Sequence, residues 1–168
     1  KEGLALINGT SAMSGVGSLN CLHAHRLLSL GIRTGAFALE LVHAYDDSIS
    51  EKLQSVRPHH GQIAVAKTLR DTLTSSKMLR NRDSLESVNI PEEVKEISGV
   101  VQEIYSFRCI PQILGPIYDT LRKVQQEVEI EINSSSDNPI VDQDEKNFLH
   151  GGNFHGDYIS LAMDQLKI

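Results

Sequence analysis

The sequence predicts an all-α protein, a bundle of long helices. Three observations carry that expectation. Helical periodicity of apolar residues dominates the 168 residues. Strand-like alternation is confined to short pieces such as "PIVD" at 139–142. From Leu114 the apolar residues Ile117, Leu121, Val124, Val128 and Ile132 succeed one another at intervals of three, four, three, four and four, a narrow seam with charged flanks of the kind that faces partner helices. The length makes one helical domain over 1–168 the natural expectation, and it can bury a core without disulfide or metal staples.

Residues 11–46 read as one long, mostly apolar helix that ends at Asp46-Asp47-Ser48. It is rich in small residues (Ser11, Ala12, Ser14, Gly15, Gly17, Ser18, Gly31, Gly35, Ala36, Ala38). Each glycine inside a helix costs roughly 0.5–1 kcal/mol, so close packing against other helices must offset several of them. "SVRPHHGQ" at 55–62 is a turn, and a helix runs from about Gln62 to Leu79. Residues 80–91 form a mobile loop. Pro91 and the acids after it open a helix well, and Pro111 and Pro116 break or kink the chain beyond that helix. The seam helix comes next. "SSSDNP" at 134–139 is a stop and turn, then a loop leads to a last helix near 157–167.

Composition removes some functions. With 16 basic and 22 acidic residues the net charge is −6, which argues against a nucleic-acid binder or attachment to an anionic membrane. The two cysteines, Cys21 and Cys109, have no metal or redox spacing. They read as free thiols of a reducing compartment, and cytoplasm is the expected location. No apolar run reaches membrane-spanning length, and the N-terminus is no signal peptide. The chain starts at Lys1 without Met, as a piece of a longer chain would.

Seven histidines raise the question of a metal. His23 and His25 are two apart on a helix and point in different directions; His59 and His60 are adjacent, and no H-E-x-x-H occurs. No metal is expected. The serines of "SAMSG" at 11–15 lie in no nucleophile elbow, and "GTSAMSGVG" lacks the lysine of a phosphate loop. "HGGNFHG" at 150–156 is different: paired glycines let the backbone approach a ligand or another chain, and Asn153, Phe154 and His155 come next, at a helix entrance. The plain alternative is a tight turn with Phe154 as a core anchor.

In "VQEIYSFRCIPQ" at 101–112, Gln102, Tyr105 and Arg108 are three apart, which on a helix places them on one side. The guanidinium suits a carboxylate. A phenol titrates near about 10, so a tyrosine used as a base needs a neighbouring cation to favour its phenolate. On spacing alone the pair reads as a surface cation–π contact.

Five stretches, "KEGLALINGTS" (1–11), "RPHHGQ" (57–62), "YSFRCIPQ" (105–112), "SSSDNP" (134–139) and "GGNFHG" (151–156), together resemble the aromatic amino-acid ammonia-lyase and aminomutase family, in that family's order and across essentially the whole chain. The resemblance implies an all-α homotetramer whose active sites take residues from more than one subunit. It implies elimination of ammonia from histidine, tyrosine or phenylalanine, or transfer of the amine to the β-carbon. The electrophile it implies is 4-methylidene-imidazole-5-one, made autocatalytically from an internal Ala-Ser-Gly. It places Tyr105 on the catalytic tyrosine that acts in abstracting the β-proton and Arg108 on the residue that binds the substrate carboxylate. Gln102 falls on the active-site glutamine, Asn8 on the asparagine beside the prosthetic ring and Phe154 on the phenylalanine packed against it. His155 is a candidate for the aryl pocket or for a position just behind the residues that touch substrate, and "NFH" resembles histidine and tyrosine members.

No Ala-Ser-Gly occurs; "MSG" at 13–15 comes after "NGT", whereas the family's triad precedes it. The expectation is therefore a central fragment. The triad, a second tyrosine and an active-site histidine would come before Lys1 and an acid after Ile168, so the 168 residues alone would be inactive. Histidine is the favoured substrate. The rival reading is a non-catalytic helical oligomerisation module. The fragment is expected to be a dimer or larger, through the 11–46 or the 113–132 helix.

Overall fold

The computed structural model describes residues 2–82 and 102–168. The loop expected over 80–91 lies outside the described residues from position 83, and so does most of the helix expected from Pro91. The described residues are mainly helical, as the periodicity predicted. The chain divides into two compact units, Lys1–Arg26 with Thr120–Ile168, and Leu27–Asp119. Helices α2 (Ser11–Leu41) and α6 (Ile110–Ile132) contribute residues to both. No helix among the described residues is long and apolar enough to cross a membrane.

In the first unit, α1 (Glu2–Ile7) precedes α2. Gly17 of α2 is buried against α7 (Asp157–Lys167): a Cβ there would lie 3.3 Å from Ile159 and 3.6 Å from Met163. Cys21 is buried too, and burial, with the nearby Glu129 carboxylate second, pushes its thiol pKa up. From α6 the seam residues Leu121, Val124 and Val128 are buried, whereas Ile113, Ile117 and Ile132 stay exposed. The stretch expected as a plain loop contains an antiparallel hairpin, β1 (Ile140–Asp142) with β2 (Asn147–Leu149), Ile140 facing Leu149. Its turn is held by the Asp142 carboxylate, which accepts from the backbone N–H of Asp144 at 3.1 Å and of Glu145 at 3.2 Å. This is the Asx-type turn that competes with extended structure.

In the second unit, α2 ends at Leu41, not at Asp46-Asp47-Ser48. His43 takes a left-handed conformation (φ 50°), its N–H donates to the Glu40 carbonyl at 3.0 Å, and the N–H of Ala44 to the Leu39 carbonyl at 3.0 Å. That is a Schellman stop with histidine in the place glycine usually takes; Leu39 and Ala44 close it as buried apolar residues. A 3₁₀ turn (Asp46–Ile49) and α3 (Glu51–Ser55) come next. Helix α4 (His60–Leu73) stops six residues before the expected Leu79, because the chain must return to the end of α2, where Arg80 bridges Tyr45.

Gly31 and Gly35 of α2 meet Leu114 and Ile110, the latter 3.1 Å from where a Cβ would sit. Gly15, in contrast, faces open space. Neither proline breaks α6. Pro111 sits in its first turn, where no N–H is required, and Pro116 is accommodated inside it.

Candidate active site

The chain reaches Tyr105 from a bend at Gln102 and an extended Ile104 (φ −63°, ψ 160°), which precedes the one-turn helix α5 (Tyr105–Arg108). Gln102 therefore does not lie on the helix that carries Tyr105 and Arg108, and the shared face expected for all three is limited to the latter two. The N–H groups of Phe107 and Arg108 both donate to the Ile104 carbonyl at 3.1 Å, so the turn is closed at its start. Tyr105 is 70 % exposed. The Arg108 guanidinium carbon lies 4.6 Å from its centroid, within cation–π range. The Nε of Arg108 and the Oε1 of Gln112, four residues on, are buried and have no hydrogen-bond partner among the described residues.

"RPHHGQ" lies at the start of α4. Gln62 is buried. Its amide donates to Gln54 at 2.8 Å and accepts from Arg57 at 3.2 Å. Gly61 abuts the Gly115 carbonyl, and a Cβ on Gly115 would lie 2.6 Å from the Gln62 nitrogen. A cavity of about 240 Å³ opens beside Arg57, His59, Gln112 and Asp119.

In the other unit, "NGT" and "SSSDNP" meet. The Asn8 amide donates to the Asp137 carboxylate. Thr10 donates through its hydroxyl to Glu131 at 2.5 Å and through its N–H to Ser136 Oγ at 3.3 Å. Between them Gly9 has φ 95°, and a Cβ there would run into the Ser136 backbone, so glycine is required. The Asn138–Pro139 peptide is cis. "GGNFHG" is tied to the same loop: Gly151 N–H donates to Asn138 Oδ1 at 2.9 Å and Asn153 to the Ser135 carbonyl at 3.3 Å.

Phe154 is 41 % exposed, not a core anchor. Its centroid is 5.4 Å from the ring of His155, whose Nδ1 lies 3.2 Å from Asp157 Oδ2. A cavity of about 470 Å³ is bordered by Glu131, Ser136, Asn153, His155 and Tyr158. Asn8, Phe154 and His155 thus belong to one unit and Gln102, Tyr105 and Arg108 to the other.

A larger cavity, about 700 Å³, borders Asp46, Arg70 and Arg82 and includes none of the six expected residues. Among the described residues no group of three or more His, Cys, Asp or Glu side chains is placed to hold a metal ion. His25 instead meets Gln125 at 2.9 Å. Sequence reasoning missed Glu131 and Asp137 as partners of Thr10 and Asn8. The Asp of "SSSDNP" was readable as a capping residue, but its partner more than a hundred positions away was not.

Comparison with known proteins shows the family of the chain. The family model described as aromatic amino acid lyase matches residues 1–168. A histidine ammonia-lyase of Caldanaerobacter subterraneus subsp. tengcongensis is 37 % identical over 168 residues, all of this chain and 30 % of the relative. A tyrosine 2,3-aminomutase of Myxococcus sp. is 36 % identical over 173 residues, covering all of this chain and 33 % of the relative. The solved phenylalanine aminomutase of Pantoea agglomerans matches with a TM-score of 0.90 at 40 % identity, over 98 % of this chain and 33 % of that one. The chain therefore spans about a third of the length of these relatives.

Proposed function

This chain belongs to the aromatic amino acid lyase family, and from that premise we propose that its parent protein eliminates ammonia from an aromatic L-amino acid, with L-histidine, giving urocanate, as the substrate. The observation that carries this reading is the Tyr105–Arg108 pair, an exposed phenol with a guanidinium over its ring on a single helical turn. Arg108 holds the substrate carboxylate through its planar fork. Tyr105 removes the β-proton as the Cα–N bond breaks, and the electrons of the Cβ–H bond become the new double bond. The β-proton is barely acidic, so a positioned base and a fixed carboxylate are both needed.

An electron sink is needed as well. The resemblance supplies it as methylidene-imidazolone, an electrophile that draws electron density from the substrate when bound. These 168 residues contain no Ala-Ser-Gly, and we infer that the group comes from the remainder of the parent. The residues present fit it. Phe154 is left exposed, a Cβ on Gly151, three residues earlier, would meet open space, and Asn8 is hydrogen-bonded to Asp137; Phe154 and Asn8 would lie against the group. Gln102 contributes an amide to the site, and His155 is assigned to the aryl pocket. The chain alone is expected to be inactive, and the parent to work as a cytoplasmic homotetramer.

The test is an ultraviolet assay of the parent with L-histidine, L-tyrosine and L-phenylalanine. Urocanate formation supports the reading, and turnover by the 168 residues alone overturns the proposed inactivity. A 2,3-aminomutase acting on tyrosine or phenylalanine is the second reading, favoured by the identity to the Myxococcus and Pantoea enzymes; a β-amino acid product distinguishes it. A non-catalytic oligomerisation module draws support from the exposed apolar residues of α2, among them Leu27, Leu30 and Phe37. That reading predicts no product from any of the three amino acids.

A further inference from the structure

We propose that Glu103 is a positioning residue for the Tyr105–Arg108 pair, fixing their helical turn through Tyr45 and Arg80; the proposal rests on the lyase reading above. The Glu103 side chain is only 10 % exposed. Its Oε1 accepts from the backbone N–H of Tyr45 at 3.1 Å and from Arg80 Nη2 at 3.3 Å. A glutamate this buried is found where it is paired.

The corner that receives it is over-determined. The Tyr45 ring is buried, with the guanidinium carbons of Arg80 and Arg82 at 4.1 and 3.7 Å from its centroid. Arg80 donates through its backbone to the Ala44 carbonyl at 2.9 Å and accepts from Asp46 N–H at 3.0 Å; its Nε donates to the His43 carbonyl at 2.5 Å. Arg82 is held by Asp47, at 3.0 Å from Nε. The turn it steadies has little hold of its own. Helix α5 has four residues and its cap residue, Ile104, makes no side-chain cap bond. A single turn fixes several dihedral angles for few hydrogen bonds, so its placement depends on what secures its ends. One end runs into α6, where Ile113 N–H donates to the Cys109 carbonyl at 2.9 Å. The other end is Glu103, two residues before Tyr105. Releasing it frees the base and the carboxylate clamp together, and a misplacement of about 1 Å costs on the order of 100-fold in rate.

The experiment compares Glu103→Ala and Glu103→Gln in the parent enzyme. It measures kcat and KM, thermal midpoint and backbone hydrogen exchange over residues 105–109. Glu103→Ala is expected to lower kcat/KM by roughly 10- to 100-fold and to speed exchange in that segment. Glu103→Gln keeps an oxygen for the Tyr45 N–H and should fall between Ala and the native enzyme. A purely structural role would lower the thermal midpoint without that graded loss of kcat/KM. Native kcat/KM in both variants, or unaltered exchange over 105–109, overturns the proposal; should the alanine variant not fold, Glu103→Gln decides. If the native parent shows no lyase turnover, the lyase reading fails by itself, and the exchange measurement alone decides whether Glu103 fixes the turn.

Discussion

The side-chain amide of Asn8 donates to the carboxylate of Asp137, 129 positions further along the chain. Asp137 also accepts from the backbone N–H of Asn138 at 2.7 Å. One carboxylate thus joins "NGT" to "SSSDNP" and orients the asparagine assigned to the site. Asp137→Ala leaves two donors without an acceptor. It is expected to cost about 1–3 kcal/mol, read as a lower urea midpoint with unchanged slope. Asp137→Asn retains an acceptor and should cost less. Equal stability of Asp137→Ala and the native chain would show that the link carries no weight.

Tyr105 and Arg108 should separate kinetically. Tyr105→Phe in the parent is expected to lower kcat by roughly 100- to 10,000-fold with little change in melting temperature, since the phenol is exposed. Arg108→Lys keeps the charge but loses the fork, and its main effect is expected on KM. Native turnover in Tyr105→Phe would sink the assignment of the base.

Much of the fold was legible, and the departures have local causes. The last helix covers Asp157–Lys167, as expected near 157–167. The end of α2 was misjudged because His43, a residue without glycine's freedom, takes the left-handed stop. Gln102 was placed on a helix because spacing cannot reveal that Ile104 is extended. For the candidate site, the resemblance of the motifs pointed to Asn8, Tyr105, Arg108 and Phe154, but the motifs did not show which groups hold them. Asp137 and Glu103 act over long separations, to which a periodic pattern is blind.

The thiols should react unequally. Burial and the nearby Glu129 raise the Cys21 pKa, so it holds its proton more tightly folded than unfolded. Its contribution to stability is then complete below the unfolded thiol pKa of about 8.5 and is lost as pH rises through the folded value. Native protein should lose stability above about pH 8.5 more steeply than Cys21→Ala, and Cys109, which is less buried, should be alkylated first. Parallel pH–stability curves for the two proteins would refute this.

Self-association should arise from α2. Val16, Leu19, Leu27, Leu30 and Phe37 are each more than half exposed on that helix, more apolar surface than an isolated chain usually leaves open. Light scattering of the 168 residues is expected to give a dimer or larger species, and Leu27→Glu with Leu30→Glu to shift it towards monomer. A monomeric mass for the native chain would count against this.

The contact of Gly61 with Gly115 bears on how such chains can be diversified. In a saturation library both positions should reject every side chain, and neither should be rescued by chemistry elsewhere, because the obstruction is backbone on each side. The glycine of "RPHHGQ" is thus a mark of how two helices approach, and a substitution scan would record it as intolerant on packing grounds alone. Recognition of a lineage and assignment of a reaction can rest on different stretches of the same chain.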